Sequence, residues 1–204
     1  MRRTFASILA LAFCSLSSWA ATTAAPALGK PSTTGEPPDV LKVDYFSNAN
    51  TSGAPDGTFR ITNAGTSNGN LCAYIFVFDP QQEMTECCGC LQTPDGLGTL
   101  SVNVDLTSNP LTGVTLSTGA IKVFSVAPVA NSCPLPGTTT VPQPFEAGLH
   151  SWTTHIQNSN FTITETASQD ATLSVAENVR AYDECLAIVL DGSGHGICSC
   201  GTGD

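Results

Sequence analysis

The cysteines constrain the fold of this chain more than any other feature of its sequence. Three stand within five residues at 86–90 (ECCGC), and two more lie near the end of the chain in CSC at 198–200. The sequence of 204 residues contains nine cysteines, and Cys14 lies in a segment that we expect to be removed. An even number of cysteines in an exported chain predicts disulfides. The eight remaining residues, all predicted to be disulfide-bonded, are Cys72, Cys87, Cys88, Cys90, Cys133, Cys185, Cys198 and Cys200.

The first twenty residues, MRRTFASILALAFCSLSSWA, have the pattern of a secretory signal peptide. Two arginines precede an apolar run, and small residues near Ala20 fit a cleavage site. The run is shorter than the roughly 20 residues that a membrane-spanning helix needs. A lipoprotein box with lipid on Cys14 is the alternative, but Phe13 stands where that box has a small residue. The pattern predicts a secreted or periplasmic protein.

The chain is acidic, which limits its partners. Cleavage would remove Arg2 and Arg3 of the seven basic residues and none of the seventeen acidic ones, so the net charge changes from −10 to −12. This charge opposes binding to nucleic acid or to an anionic membrane. We therefore expect no nucleic acid partner and no membrane association after cleavage. A protein or a polysaccharide at the cell surface is the partner class that remains.

Two further regions follow the signal peptide. Residues 21–40 are rich in Thr, Ala and Pro and have few large apolar side chains, so they predict a flexible leader. Such a leader can act as a spacer that holds a domain away from a surface. Residues 41–204 have the length of a single domain.

Most of that domain has the pattern of β-strands. Residues 71–78 (LCAYIFVF) form a dense aromatic and β-branched run that stops at Asp79 and Pro80, which predicts a central strand buried on both faces. Alternating or nearly alternating patterns occur at residues 58–62, 99–106, 120–126, 150–156 and 161–166. Gly, Pro and Asn clusters separate them at the intervals typical of a sandwich.

A helix is predicted near the carboxyl end, at about residues 175–190. Ser174 and Glu177 form a capping box, and Gly192 marks the end. A strand at 185–190 is the alternative. The predicted fold is mainly β, an antiparallel β-sandwich with one C-terminal helix, stapled by disulfides. The predicted apolar stripe of the helix consists of Val175, Val179, Tyr182, Leu186 and Val189.

The spacing of the cysteines limits their pairing without fixing it. Eight cysteines allow 105 pairings. Cys87 and Cys88 could join only in a strained ring, and Cys88 and Cys90 are also hard to bridge, so these three should have three different partners. The simplest hypothesis joins the loop of the CSC motif to the loop that holds ECCGC, while Cys72 and Cys185 form other bridges. It predicts no free thiol after cleavage.

Metal binding and redox chemistry are the two alternatives to structural disulfides. The dense thiol spacing resembles sites for soft ions such as Cu(I), and His195 lies three residues before Cys198. Zinc sites, however, usually place two residues between paired cysteines. Cys87 and Cys90 have the separation of a redox Cys-x-x-Cys motif, but Cys88 intervenes and no βαβ pattern surrounds them. We predict neither a metal nor a cofactor.

No sequence pattern identifies a catalytic residue. HExxH, GxSxG and Walker motifs do not occur, and GSGHG at 192–196 follows a helix, whereas a phosphate-binding loop opens one. His150 and His155 should lie on opposite faces of a strand, as isolated surface histidines. Asp79, Glu83 and Glu86 could bind Ca²⁺ through their carboxylate oxygens, but a solvated acidic loop is the simpler interpretation. Tyr45, Tyr74 and Trp152 are candidates for stacking on sugars, but aromatic residues more commonly pack in the core.

Three segments, CAYIFVFDPQQEMTECCGC, TPDGLGTLSVNVDLTSNPL and the distal helix with GSGHGICSCG, resemble an uncharacterised family of secreted, cysteine-rich proteins of environmental bacteria. The resemblance implies an exported domain stapled by cysteines and brings no activity or site residue. Together these features predict a secreted, disulfide-bonded structural or interaction module. The alternatives are an extracellular carbohydrate- or ligand-binding module, a secreted hydrolase and a metal-handling protein.

Overall fold

A computed structural model describes residues 39–67, 69–107, 115–139 and 143–201. The predicted signal peptide, including Cys14, lies outside these residues, and so does nearly all of the predicted leader. Within the described residues, no helix is both long enough and apolar enough to cross a bilayer.

The described residues form two antiparallel sheets. The first sheet has the strand order β4-β3-β6-β1-β9, and the second has the order β5-β2-β7-β8. A helix, α1 (Val175–Asp191), follows the last strand. The strands are β1 (Leu41–Phe46), β2 (Thr58–Asn63), β3 (Leu71–Phe78), β4 (Met84–Gln92), β5 (Leu97–Ser101), β6 (Gly119–Val126), β7 (Leu149–Gln157), β8 (Thr162–Ala167) and β9 (Gln169–Ala171). The predicted β-sandwich with one C-terminal helix is confirmed.

The first sheet is the middle layer of three. One of its faces, which includes Ile75 and Val77, packs against the second sheet. The opposite face, which includes Tyr74 and Phe76, packs against Tyr182 of α1. Every residue of β3 is therefore buried. This double burial explains why the strand has a continuous apolar run without alternation, and it confirms the predicted central strand.

The ends of α1 follow the predicted local signals. The Ser174 hydroxyl accepts a hydrogen bond of 3.1 Å from the Glu177 amide, which satisfies a backbone donor in the first turn. Gly192 ends the helix in the left-handed conformation, with φ of 69°. These contacts explain why a helix, and not the alternative strand at 185–190, forms here.

The predicted apolar stripe of α1 is confirmed only in part, since Tyr182 is fully buried and Leu186 and Val189 are partly buried. Val175 and Val179 are 63% and 37% exposed. The prediction counted only large apolar side chains and left out Cys185, whose disulfide fixes the buried face of the helix. The residues that face the first sheet are Asn178, Ala181, Tyr182, Cys185 and Ile188.

The strand predicted at 99–106 ends early, because polar side chains capture its backbone. β5 stops at Ser101, and Val102–Leu106 form a short turn of π-helix. The Asp105 carboxylate accepts a hydrogen bond of 2.6 Å from the Ser101 amide, and the Ser101 hydroxyl accepts one of 2.9 Å from the Val104 amide. Such local bonds compete with a strand ladder.

Candidate functional site

The ECCGC segment lies on strand β4, and the expectation that it forms a loop is wrong. Successive side chains of a strand point to opposite faces. Cys88 and Cys90 accordingly join the core between the two sheets, whereas Cys87 joins the core beneath α1. Cys87 bonds to Cys185, Cys88 to Cys198 and Cys90 to Cys200. The prediction of three different partners is confirmed.

The end of the chain covers the edge of β4. We call residues 196–201 the tail. The Cys87 amide donates a hydrogen bond of 2.8 Å to the Gly196 carbonyl, and the Cys198 amide donates one of 3.1 Å to the Cys87 carbonyl, so the tail runs parallel to β4. An uncovered edge strand offers unpaired backbone groups to other chains. The tail therefore protects β4, and two disulfides hold it there.

Cys72 of β3 forms the fourth disulfide with Cys133, in the segment that follows β6. This segment crowds Gly89, the glycine of ECCGC. A Cβ atom at Gly89 would lie 2.8 Å from Cε1 of Tyr74 and 2.9 Å from the carbonyl oxygen of Cys133. Both separations are too short for a carbon atom, so glycine is required by close packing at this position.

The two tail disulfides form one sulfur cluster, which consists of Cys88, Cys90, Cys198 and Cys200. The Sγ atoms of Cys88 and Cys90 are 3.9 Å apart. The Sγ atoms of Cys88, Cys90 and Cys200 all lie within 4.8 Å of one another. Cys90 and Cys200 also line a surface cavity of about 280 Å³. Because all these sulfurs are paired as disulfides, none of them is a thiolate ligand in this state.

A polar corner joins the two sheets on the side of the sandwich away from the tail. His155, predicted to lie on the surface, is only 2% exposed. Its Nε2 atom lies 2.7 Å from the Thr166 hydroxyl and 3.4 Å from an Asp44 carboxylate oxygen. The chain crosses from the second sheet to the first at Ser168, whose hydroxyl donates a hydrogen bond of 2.7 Å to Asp44. Sequence reasoning missed this corner because Asp44 and His155 are far apart in the chain and neither stands in a motif.

This corner lacks the arrangement of a hydrolytic triad. A triad histidine uses one ring nitrogen for the nucleophile and the other for the carboxylate. Here the Thr166 hydroxyl and the Asp44 carboxylate lie near the same nitrogen of His155. The Ser168 hydroxyl donates to the carboxylate itself. The corner therefore acts as a hydrogen-bonded connection between the sheets.

The acidic residues considered for Ca²⁺ lie in different environments, and the expectation that they form one solvated loop is wrong at Glu86. The Asp79 carboxylate accepts hydrogen bonds from the amides of Gln81 and Glu83, at 2.8 and 2.9 Å, and so stabilises the turn between β3 and β4. Glu86 lies on β4 and is fully buried. In the described part of the chain, these carboxylates do not come together as a group of three metal ligands.

The candidate sugar-binding aromatics lie in three different environments. Tyr74 is fully buried, and burial raises its pKa to about 12 even though its hydroxyl donates a hydrogen bond to Gln143. Tyr45 is 47% exposed and stacks on the ring of His155, with the ring centroids 4.2 Å apart. Trp152 is half-buried on β7, and its ring centroid is 6.5 Å from that of the exposed His150.

Strand β8 presents an open edge. All six of its residues, Thr162–Ala167, are exposed. It pairs with β7 on one side, and among the described residues no strand pairs with its other side. The other sheet ends are β4, which the tail covers, β9, which has only three residues, and β5, which among the described strands also pairs on one side only but has five residues of which two are buried. We refer to the unpaired side of β8 as the β8 edge.

Comparison with known proteins gives little for this chain. No protein-family model matches it, and no curated protein matches it. The crystal structure of Thermotoga maritima 1070 aligns with a TM-score of 0.40 and 10% sequence identity, over 69% of this chain and 99% of that one. A likeness at this level carries no argument about function.

Proposed function

We propose that this protein is an exported interaction module that binds an extended segment of a partner protein at the β8 edge. The observation that carries the proposal is the exposure of all six residues of an unpaired edge strand. A partner segment can add a strand to such an edge through main-chain hydrogen bonds, and pockets for alternate side chains then give specificity.

The composition of β8 supports a binding role for its edge. Natural proteins protect exposed edges with lysine, proline or β-bulges. β8 has the sequence TITETA, and its pairing with β7 runs without a bulge. Its one charged residue, Glu165, forms a salt bridge of 2.8 Å with Arg60. The protein thus protects β4 with the tail and two disulfides while it leaves β8 unprotected.

Charge favours a basic partner over a second copy of this chain. The net charge is −10 for the full sequence and would be −12 after signal cleavage, and two molecules of like charge repel each other. A basic partner segment would have a charge complementary to the net charge of this chain, whereas Glu165 itself is already paired with Arg60. We therefore expect the bound segment to combine β-branched residues with at least one lysine or arginine.

An exported location agrees with the covalent structure. The four disulfides include all eight cysteines that follow the signal-like segment. Disulfides of this number form and persist in oxidising compartments. The first twenty residues carry the pattern that directs export. Detection of the processed protein outside the cytoplasm of its host would test this part of the proposal.

The binding experiment uses a library of extended peptides, with hydrogen exchange followed by NMR. We expect selected peptides to slow the exchange of β8 amides, and Ile163→Lys to weaken binding because a lysine at an edge opposes strand addition. Leu190→Lys is the matched control, since Leu190 is 75% exposed on α1 and receives the same change in charge. Peptide binding that leaves β8 exchange unchanged, or a β8 edge already covered by a second copy in sedimentation analysis, would contradict the proposal.

A carbohydrate-binding function is the second candidate, and Trp152 is the observation that favours it. Its indole lies half-buried beside His150 on the second sheet, and an exposed aromatic ring can stack on a sugar. A glycan array with the unmodified protein and a Trp152→Ala variant tests this function. Binding that is lost in the variant supports it, and an array without bound glycans contradicts it.

A further inference from the structure

We infer that Cys88, Cys90, Cys198 and Cys200 form a four-sulfur site for a soft or borderline metal ion, such as Zn²⁺, Cd²⁺ or Cu(I), when their two disulfides are reduced. The inference concerns the sulfur cluster and is independent of the proposed binding at the β8 edge.

Two parallel segments place the four sulfurs together. Cys88 and Cys90 stand two residues apart on β4 and face the core between the sheets. Cys198 and Cys200 stand two residues apart on the tail, which runs parallel to β4. Each tail cysteine bonds to the β4 cysteine opposite it. The four sulfurs therefore occupy the corners of a small quadrilateral.

The size of this quadrilateral suits a tetrahedral metal site. With metal–sulfur bonds of about 2.3 Å, two sulfurs of a tetrahedral zinc site lie about 3.8 Å apart. The Sγ atoms of Cys88 and Cys90 are already 3.9 Å apart. The bonded pairs must separate, from about 2.05 Å in a disulfide to about 3.8 Å. The Cys198 Sγ atom, which is not within 4.8 Å of all three other sulfurs, must also move closer to them, so the site requires a shift of about 1 Å or more at each sulfur. Rotation of the cysteine side chains can supply this shift.

The strand geometry explains how cysteines separated by only one residue can bind the same metal ion. Paired cysteines usually need two intervening residues because they chelate the ion from a turn. On a strand, residues i and i+2 share a face, so one intervening residue brings Cys88 and Cys90 equally close. A second such pair, on the tail, completes the set of four.

The surroundings give the cluster access and separate it from the other bridges. Cys90 and Cys200 line the surface cavity of about 280 Å³, through which a reductant and an ion can enter. Cys200 is partly exposed, and so is Cys133 of the Cys72–Cys133 bridge, whereas Cys87 and Cys185 are fully buried on the opposite face of the first sheet. Within the sulfur cluster, reduction should therefore begin at Cys90–Cys200, because thiol–disulfide exchange depends on access.

The chemistry balances with a dithiol as reductant. Each of the two bridges takes up two electrons and two protons, and one dithiol molecule is oxidised to its own disulfide for each bridge. Four protein thiols result. The metal ion then binds the four thiolates and displaces their protons, so its affinity should rise with pH. The bound ion would hold the tail on β4 in place of the two covalent bridges.

The test uses anaerobic reduction of the purified protein followed by titration with Cd²⁺. Mass spectrometry after thiol labelling identifies the reduced bridges, and ¹¹³Cd NMR reports the number of sulfur ligands. We expect one four-sulfur Cd²⁺ per reduced chain and none in the oxidised protein. Cys72→Ser/Cys133→Ser is the matched control that should keep this signal, whereas Cys90→Ser/Cys200→Ser should lose it.

A second measurement covers the case in which reduction unfolds the chain. Near-ultraviolet circular dichroism of the reduced protein, with and without Cd²⁺, reports whether the tertiary structure persists. Because a site formed by the fold binds better than scattered thiols, we expect Cd²⁺ affinity at least about tenfold above that of the reduced chain in urea. Equal affinities in these two states, or a four-sulfur signal in Cys90→Ser/Cys200→Ser, would overturn the inference.

Discussion

Removal of the Cys90–Cys200 disulfide should cost less stability than removal of Cys72–Cys133, although it spans more of the sequence. The separations are 110 and 61 residues. In the chain-entropy model, a loop of about 60 residues contributes roughly 4 kcal/mol and one of about 110 roughly 5 kcal/mol. These values apply only where no other bridge already closes the loop.

The neighbouring disulfide, Cys88–Cys198, reduces the stabilisation expected from Cys90–Cys200. Cys88–Cys198 already holds β4 and the tail together in the unfolded chain. Cys90–Cys200 then closes a ring of only six residues, 88–90 and 198–200. For a ring of that size the model gives about 2 kcal/mol. No other disulfide shortens the loop between Cys72 and Cys133 in this way, so the bridge between them keeps its full value of about 4 kcal/mol.

The assay is equilibrium unfolding in urea without reductant, with both cysteines of a pair replaced by alanine so that no free thiol remains. We expect losses of about 2 kcal/mol for Cys90→Ala/Cys200→Ala and about 4 kcal/mol for Cys72→Ala/Cys133→Ala. Removal of both tail bridges should cost about 5 kcal/mol. Once Cys90–Cys200 is absent, Cys88–Cys198 closes a larger ring, which runs through Cys87–Cys185, and its removal therefore costs more than that of Cys90–Cys200. A loss for Cys90→Ala/Cys200→Ala equal to or above that for Cys72→Ala/Cys133→Ala would refute this reasoning.

Three further predictions concern single residues, each checked by the free energy of unfolding in urea. Gly89→Ala should cost about 1 to 3 kcal/mol through overpacking, whereas Gly69→Ala should cost less because a Cβ atom there meets nothing within 4 Å; equal costs would contradict the packing argument. The fold raises the pKa of Tyr74 from 10.0 to about 12, so the folded state holds the phenol proton more tightly than the unfolded state does. The contribution of Tyr74 to stability should therefore be complete below pH 10 and be lost towards pH 12. Tyr74→Phe should flatten this decrease of the unfolding free energy with pH, and an unchanged pH dependence would contradict the prediction. Asp44→Ala should cost about 1.5 to 3 kcal/mol because it removes a buried charged acceptor, but Glu165→Ala only about 1 kcal/mol or less because its salt bridge is exposed; the reverse order would show that the corner is not stabilising.

The sequence predicted the parts of the fold that depend on local patterns. The run at 71–78 identified β3 because burial on both faces leaves a continuous apolar segment. Ser174 and Gly192 identified the ends of α1 because capping depends on a few neighbouring residues. Both signals are complete within a short stretch of chain.

The parts that could not be predicted depend on contacts between distant segments. Strand β4 was missed because the face of its cysteines is decided by their partners, Cys185 on α1 and Cys198 and Cys200 on the tail. The buried face of α1 was predicted only in part for the same reason. The corner of His155 and Asp44 forms only when the chain crosses between the sheets.

The strand assignment of ECCGC explains its unusual spacing. Because residues of a strand alternate, Cys87 reaches α1, while Cys88 and Cys90 reach the tail on the other face. Gly89 faces the same side as Cys87, where the carbonyl of Cys133 leaves no room for a side chain. Five consecutive residues thus connect both cores of the molecule to the end of the chain. The second tail bridge closes a ring of only six residues, so restriction of the unfolded chain adds little stability beyond that of the first bridge. A shared role for the four sulfurs, as in the metal site inferred above, would explain why the chain has two tail bridges.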